Sequence, residues 1–188
     1  VRVYTVGHSN RSLEDFLALL AGHGIRTLAD IRRFRSSRRF PWFGEEALAR
    51  ALQERGIDYV ALSELGGRRR PRPGSLNTVW EVEGFRAYAD YMETPEFRAG
   101  IDRLLDLAAR APTACMCAEA LWWQCHRMLV ADHLKARGHE VVHLVDPVCA
   151  QPHPWSAAAR RDRERGGHYA RVVLGLQEGP GDPQRALP

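Results

Sequence analysis

The sequence predicts an α/β fold, a single domain whose mostly parallel sheet of roughly five strands is covered by helices on both faces. Three observations predict it. Short apolar runs of strand character alternate with segments of helical period, glycine or proline marks most of the changeovers, and 188 residues suffice for one core without calling for a second.

Val3 to Val6 alternates as a first strand and stops at Gly7-His8-Ser9-Asn10. Ser12 and Asp15 then resemble a capping box opening a helix with Leu13, Phe16, Leu17 and Leu20 on one face, ended by Gly22 and Gly24. Thr27 to Ile31 reads as the second strand, and the arginine-rich stretch from Arg32 to Arg39 has no amphipathic period and reads as an exposed loop. A helix follows from about Glu45 to Arg55, with Ala47, Leu48, Ala51 and Leu52 inward, and Gly56 stops it before a third strand at Asp58 to Leu62. Gly66 to Gly74 carries glycines, prolines and like charges that break both ladders, so a mobile loop is expected there.

Helical period returns around Phe85 to Met92, and Thr94-Pro95-Glu96 supplies an N-cap hydroxyl and a proline at the first helical position for the next helix. Thr113 to Met116 is the fourth strand, Cys125 or His126 opens a helix running through Leu134 to Arg137, and Gly138 precedes a fifth strand at Glu140 to Val145. Beyond Pro147 the pattern weakens. His153 to Gly167 is polar and partly helical, Tyr169 to Leu174 reads as a late strand, residues 1–176 make up the domain, and 177–188 reads as a disordered tail. No internal repeat is present.

An apolar fraction of 45% with 27% charged residues is ordinary for a globular protein, and no apolar run approaches the ~20 residues that cross a bilayer. A soluble, non-membrane protein is therefore expected. The first residues alternate like a strand and lack the basic, apolar and small-residue sections of a secretory signal, so a cytoplasmic location is expected too. Four unevenly spaced cysteines, Cys115, Cys117, Cys125 and Cys149, do not frame a disulfide scaffold in a chain of this size and fit reduced thiols. Lys135 is the only lysine, so the net charge of +4 is carried almost wholly by arginine; a bias in codon usage explains that more simply than phosphate contacts across the whole surface do.

In open α/β sheets the ligand crevice lies beyond the carboxyl ends of the strands. The residues collected there are His8, Ser9 and Asn10 from the first strand, Asp30, Arg32 and Arg33 from the second, Glu64, Gly66, Gly67 and Arg68 after the third, and Cys117 and Glu119 from the fourth. Cys125, at an exposed helix start beside Arg127, has the setting of a reactive thiol, because unpaired backbone N–H groups and a nearby cation stabilise a thiolate. The same N–H groups suit a phosphate or carboxylate, with Arg127 closing on it bidentately. His8 and His126 are candidate proton carriers beside Glu119, whereas a turn-fastening role for His8 and a solvated one for Glu119 are the plainer alternatives.

Cys115 reads as a small buried hydrophobe, and the same reading stands open for Cys117. Cys115, Cys117, Cys125 and His126 also make a candidate metal-ligand set, although their spacing is not that of a paired Cys-x-x-Cys ribbon. Trp122 and Trp123 suit either stacking on a planar ligand or covering the core. The runs Arg32 to Arg39 and Arg68 to Arg72, with Phe34, Phe40, Trp42 and Phe43 near the first, fit a nucleic-acid backbone and its bases, a phosphorylated metabolite, or solubility alone.

These residues resemble the bacterial and archaeal family named domain of unknown function 488. The resemblance rests on Thr5-Val6-Gly7-His8-Ser9-Asn10, on Asp30-Ile31-Arg32 with Ser37-Arg38-Arg39, and on Glu64-Leu65-Gly66-Gly67-Arg68. It extends to Gly84-Phe85-Arg86 with Tyr88 to Met92, and to Cys117-Ala118-Glu119 through Cys125-His126-Arg127. It implies an α/β domain and marks the same strand-end residues, but it implies no reaction and no cofactor. The chemistry of the residues favours an enzyme acting on an anionic, phosphate-bearing substrate such as a nucleotide or nucleic acid. A non-catalytic nucleic-acid-binding module and a thiol-based metal or redox sensor are the rival readings.

Overall fold

A computed structural model describes residues 1–174. It contains one six-stranded sheet in the order β3-β2-β4-β1-β5-β6. The strands are β1 (Arg2–Gly7), β2 (Thr27–Asp30), β3 (Asp58–Ala61), β4 (Thr113–Cys117), β5 (Glu140–Leu144) and β6 (Ala150–Pro152). The first five pair in parallel, as their alternation with helices requires. The expected disordered tail lies outside the described residues.

Two apolar cores sandwich the sheet, and each of the five parallel strands contributes to both because successive side chains point to opposite faces. On one face Val6, Leu28, Ala114, Met116 and Leu144 pack against Phe16, Leu19 and Leu20 of α1 (Leu13–Gly22) and Leu48 and Leu52 of α2 (Glu45–Gln53). On the other, Val3, Ala29, Cys115 and Val141 meet the remaining helices. These are α3 (Glu83–Tyr91), α4 (Pro95–Arg110), α5 (Arg127–Ala136), α6 (Ala157–Glu164) and α7 (His168–Val172). The predicted caps form. Ser12 accepts the N–H of Asp15 at 3.0 Å, and Thr94 accepts that of Phe97 at 3.3 Å ahead of Pro95.

Beyond Pro147 the sheet gains one strand over the roughly five expected, and one expectation fails. A sixth strand, β6, lies antiparallel at the sheet edge with Ala150 opposite Leu144; three residues ending in proline carry too little pattern to be read as a strand, yet an edge tolerates the missing donor. Tyr169 to Leu174 is not a late strand. It holds α7, because Tyr169, Ala170 and Val173 bury on one helical face and the Asp162 carboxylate accepts the Ala170 N–H at 2.5 Å. No helix among the described residues is long and apolar enough to cross a membrane.

The site depends on the close approach of β1 and β4. Gly7 lies opposite Cys117, and beyond them His8 N–H donates to the Cys117 carbonyl at 3.0 Å and Ser9 N–H to that of Ala118 at 2.9 Å. A Cβ on Gly7 would sit 1.8 Å from the Glu119 carbonyl oxygen and 2.8 Å from Arg127 Nη2. Gly7→Ala is therefore expected to destabilise the fold by more than about 2 kcal/mol in a urea melt. Gly84→Ala, in α3 with open space at its Cβ, should instead stabilise it by roughly 0.5 kcal/mol.

Candidate functional site

The strand-end residues do gather at one end of the sheet, but as two side-chain clusters back to back rather than one crevice. The alternation of β1 separates them, since Thr5 and Gly7 face the α3–α7 side while His8 faces the α1–α2 side.

On the α3–α7 side, β4 delivers Cys117, and a helical turn at Trp122–Gln124 brings the chain to Cys125 and His126 just ahead of α5. The sulfurs of Cys117 and Cys125 and a ring nitrogen of His126 all lie within 4.8 Å of one another. Cys115 is buried within the strand and stands outside this group. Cys125 does occupy a helix start, and its sulfur accepts the Arg127 backbone N–H at 3.5 Å. The start is not exposed, however. Cys125 is only 3% accessible, because it joins the core that includes Tyr88 and Met128.

Arg127 is 1% exposed. Its Nε donates to Cys117 Sγ at 3.1 Å, Nη1 to Thr5 Oγ1 at 3.3 Å, and Nη2 to the carbonyls of Glu119 at 2.5 Å and Ala120 at 3.2 Å. The bidentate clamp expected of it is thus closed on protein carbonyls and sulfur rather than open to a ligand. Glu119 orients Arg127 through its backbone carbonyl, leaving an exposed carboxylate.

Burial pushes both thiols up, and Cys117 ends well above the usual thiol range. At Cys125 burial is outweighed by the hydrogen bond from Cys117 and by the charge and backbone N–H of Arg127, which bring it down to about 7. The pair titrates as a unit, with Cys125 losing the first proton. Nδ1 of His126 lies 3.4 Å from Cys125 Sγ, its Nε2 is buried without a partner among the described residues, and burial holds the ring neutral. The donor set could offer a metal three ligands, but the guanidinium already fixed on Cys117 Sγ makes it a better fit to a cation-held thiol pair.

The loop after β3 roofs this cluster. A Cβ on Gly67 would meet His126 Nδ1 at 2.8 Å, and one on Gly66 would meet Arg33 Cα at 2.9 Å, so both positions need glycine for close approach. The loop is irregular as expected, and Arg69 ties down its start by donating to the Gly66 carbonyl at 2.8 Å. Exposed Arg33 donates to the Arg68 carbonyl at 2.9 Å, and Arg68 itself holds φ 55°. Between them Phe34 is 61% exposed, with the two guanidiniums 5.8 and 6.0 Å from its ring. Trp123 is exposed, whereas Trp122 stacks on His143 with centroids 4.4 Å apart.

On the α1–α2 side, Asp30 and Arg32 neutralise each other. Arg32 Nε donates to Asp30 Oδ1 at 2.9 Å and Nη2 to Oδ2 at 2.6 Å, Tyr59 donates to the same carboxylate at 2.7 Å, and neither Asp30 nor Arg32 exceeds 6% exposure. Both are therefore occupied as partners of each other, not free to hold an anion. Arg32 Nη1 reaches His8 Nε2 at 3.3 Å; a guanidinium only donates, so Nε2 accepts and Nδ1–H donates to the Ser9 carbonyl at 2.9 Å. That neutral ring stacks on Phe43 at 4.2 Å. Ser9 takes φ 53°, and Asn10 is exposed.

Sequence reasoning missed Thr5, Asp132, His143 and His153, all buried and polar. A signal existed: each of the first three interrupts an otherwise apolar element, in Val-Tyr-Thr-Val, Leu-Val-Ala-Asp and Val-Val-His-Leu.

Burial, and secondarily Arg32, lowers His8 to about 4 from an unfolded value of 6.5. Its contribution to stability is full above pH 6.5 and is lost as pH falls through about 4, because the unfolded chain takes up the proton first. Chemical denaturation across that window should show stability falling with acid, by up to roughly 3 kcal/mol from this ring, and a shallower fall in His8→Asn.

No curated protein and no solved structure gave a match to the chain. The sequence model of the family described as Domain of unknown function DUF488 matches residues 12–134, a span running from the start of α1 through the thiol pair to Leu134. Covering well over half of the chain, that match establishes that this protein belongs to the DUF488 family.

Proposed function

We propose that this protein is an enzyme that uses the Cys125 thiolate as a nucleophile on an anionic, phosphate-bearing substrate admitted beside Arg33 and Arg68. The observation that carries the reading is the buried Arg127 guanidinium. Its side-chain partners are a sulfur, a hydroxyl and two carbonyls, with no carboxylate among the described residues in hydrogen-bond reach. A cation taken out of water demands an anion nearby, and the thiol pair is the group against it that can supply one.

In the reaction, Cys125 sulfur forms a bond to an electrophilic centre of the substrate as the bond to the leaving group breaks, and the leaving group departs with that electron pair. Water then cleaves the sulfur bond, delivering hydroxide to the substrate fragment and restoring the thiolate while its remaining proton goes to solvent. Cys117 keeps its proton throughout and steadies the thiolate by its S–H. The Gly66–Arg68 roof has to lift for the substrate to reach a sulfur this buried, which places Arg33, Phe34 and Arg68 at the entrance. His8 and Arg32, on the far face, support the turn rather than touch the substrate.

Iodoacetamide labelling of Cys125 in a Cys149→Ser background should show a rate that rises with pH through about 7 and then levels. Cys117→Ala and Arg127→Leu should each move that midpoint up by about one unit or more. A midpoint in the ordinary thiol range for the parent protein would remove the thiolate.

One observation favours a second reading, a nucleic-acid-binding module: Phe34 stands exposed between two arginines in the manner of a base-stacking platform. Under that reading a single-stranded oligonucleotide binds with a steep salt dependence, binding is lost when Phe34→Ala is combined with neutralisation of Arg68 to Arg72, and it survives Cys125→Ala. The enzyme reading expects phosphate-bearing substrate to bind at the same entrance but to be turned over only with Cys125 intact.

A further inference from the structure

Behind the thiol pair runs a buried polar chain that none of the steps above uses. Arg127 Nη1 meets Thr5 Oγ1 at 3.3 Å, Thr5 Oγ1 lies 2.7 Å from His143 Nδ1, His143 Nε2 lies 2.9 Å from His153 Nδ1, and His153 Nε2 lies 3.1 Å from Asp132 Oδ1. All five residues are at most 2% exposed. The chain leaves the first turn of α5, crosses β1 and β5, passes the residue after β6 and returns to the middle of α5, so it closes on the helix it started from.

We propose that Thr5, His143, His153 and Asp132 are positioning residues that aim the Arg127 guanidinium at the two sulfurs and supply its distant counter-charge; the proposal rests on the thiolate reading of Cys125. The hydrogens on this chain have one consistent order. Arg127 can only donate, so Thr5 Oγ1 accepts from it. Besides the His153 ring, Asp132 accepts from two donors, the Ser156 N–H at 3.0 Å and the Tyr169 hydroxyl at 3.3 Å. His153 therefore carries its hydrogen on Nε2 and accepts on Nδ1, His143 donates from Nε2 and accepts on Nδ1, and the Thr5 hydroxyl donates to His143. Every hydrogen bond thus points from cation to carboxylate. Reversing the order would make Thr5 accept twice and leave its own hydrogen buried without a partner among the described residues.

Trp122 locks the geometry from outside. It stacks on His143 with an interplanar angle of 4° and meets His153 edge-on at 5.3 Å, so the loop that carries Cys117 to Cys125 also covers the chain. A set of hydrogen bonds serving only to fasten the β5–β6 edge would not need to reach Arg127 through Thr5. The groups that face Cys125 from the elements packed around it are Cys117 from β4, His126 and Arg127 at the start of α5, Tyr88 from α3 and, beyond Tyr88, Arg69. Arg127 is the cation in direct contact with the pair, and Thr5 is the side-chain oxygen that orients it.

Two measurements on the full chain test this. Nitrogen-15 NMR of the histidine rings at neutral pH should find both His143 and His153 with hydrogen on Nε2 and none on Nδ1; an Nδ1–H form of either ring overturns the proposed order without any substitution. The labelling profile of Cys125 in Thr5→Val and in His143→Phe should shift up by about one pH unit, with Thr5→Ser restoring the parent midpoint. A low parent midpoint left unmoved by Thr5→Val and His143→Phe overturns the positioning role alone. An ordinary parent midpoint overturns the thiolate reading and the task assigned to the chain together.

Discussion

A guanidinium held in the interior, with no carboxylate among the described residues in hydrogen-bond reach, is the constraint around which this end of the molecule is arranged. Arg127 is satisfied by a sulfur, a hydroxyl and two carbonyls, and three different elements have to deliver them. β4 brings Cys117, β1 brings Thr5, and the loop between Cys117 and Cys125 bends so that two successive carbonyls face inward. Gly7 is bare of a side chain for the same reason, since the Glu119 carbonyl and Nη2 occupy the space a Cβ would fill. The arrangement explains why a thiol as buried as Cys125 is lowered rather than raised: desolvation acts on it strongly, but a fixed cation, a backbone N–H and a neighbouring thiol act together against it.

The opposite face solves a different problem with the same kind of residue. Asp30 and Arg32 form a buried bidentate pair, and such pairs contribute little net stability because desolvation of both charges offsets their attraction. Its effect is geometric. Arg32 also donates to the Phe43 carbonyl at 2.8 Å and to His8, so the turn after β1 and the turn ahead of α2 are held to one another, with the His8 ring stacked on Phe43. Arg32, just after β2, and Arg127, at the start of α5, thus have unlike partners, one a carboxylate and the other a thiol pair.

Most of the architecture is legible from the chain alone. Parallel strands, their order of appearance, the helix caps at Ser12 and Thr94, and the helix beginning beside Cys125 all follow from local pattern and capping chemistry. β6 and α7 are the exceptions, and both depend on nonlocal partners: an open sheet edge at β5 and the Asp162 carboxylate that anchors α7. At the site, residue identities are equally legible because strand ends collect polar groups, so His8, Asp30, Arg32, Cys117, Cys125 and Arg127 all stand out. Thr5, Asp132, His143 and His153 do not: the first three are single polar residues in apolar elements, His153 lies between two prolines after β6, and none carries a sign of whom it will meet.

What the chain determined by itself is therefore the class of the fold and the inventory of groups at the ends of its strands, since both rest on period and on neighbours close in sequence. Only the tertiary structure decided which groups face each other. The period-two alternation of β1 sends His8 to one face and Thr5 to the other, and the pairing of β1 with β4 and β5 sets Thr5 between Arg127 and His143. Such contacts span more than a hundred residues of chain, and no local preference encodes them; burial does, because each polar group taken out of water has to find its partner there.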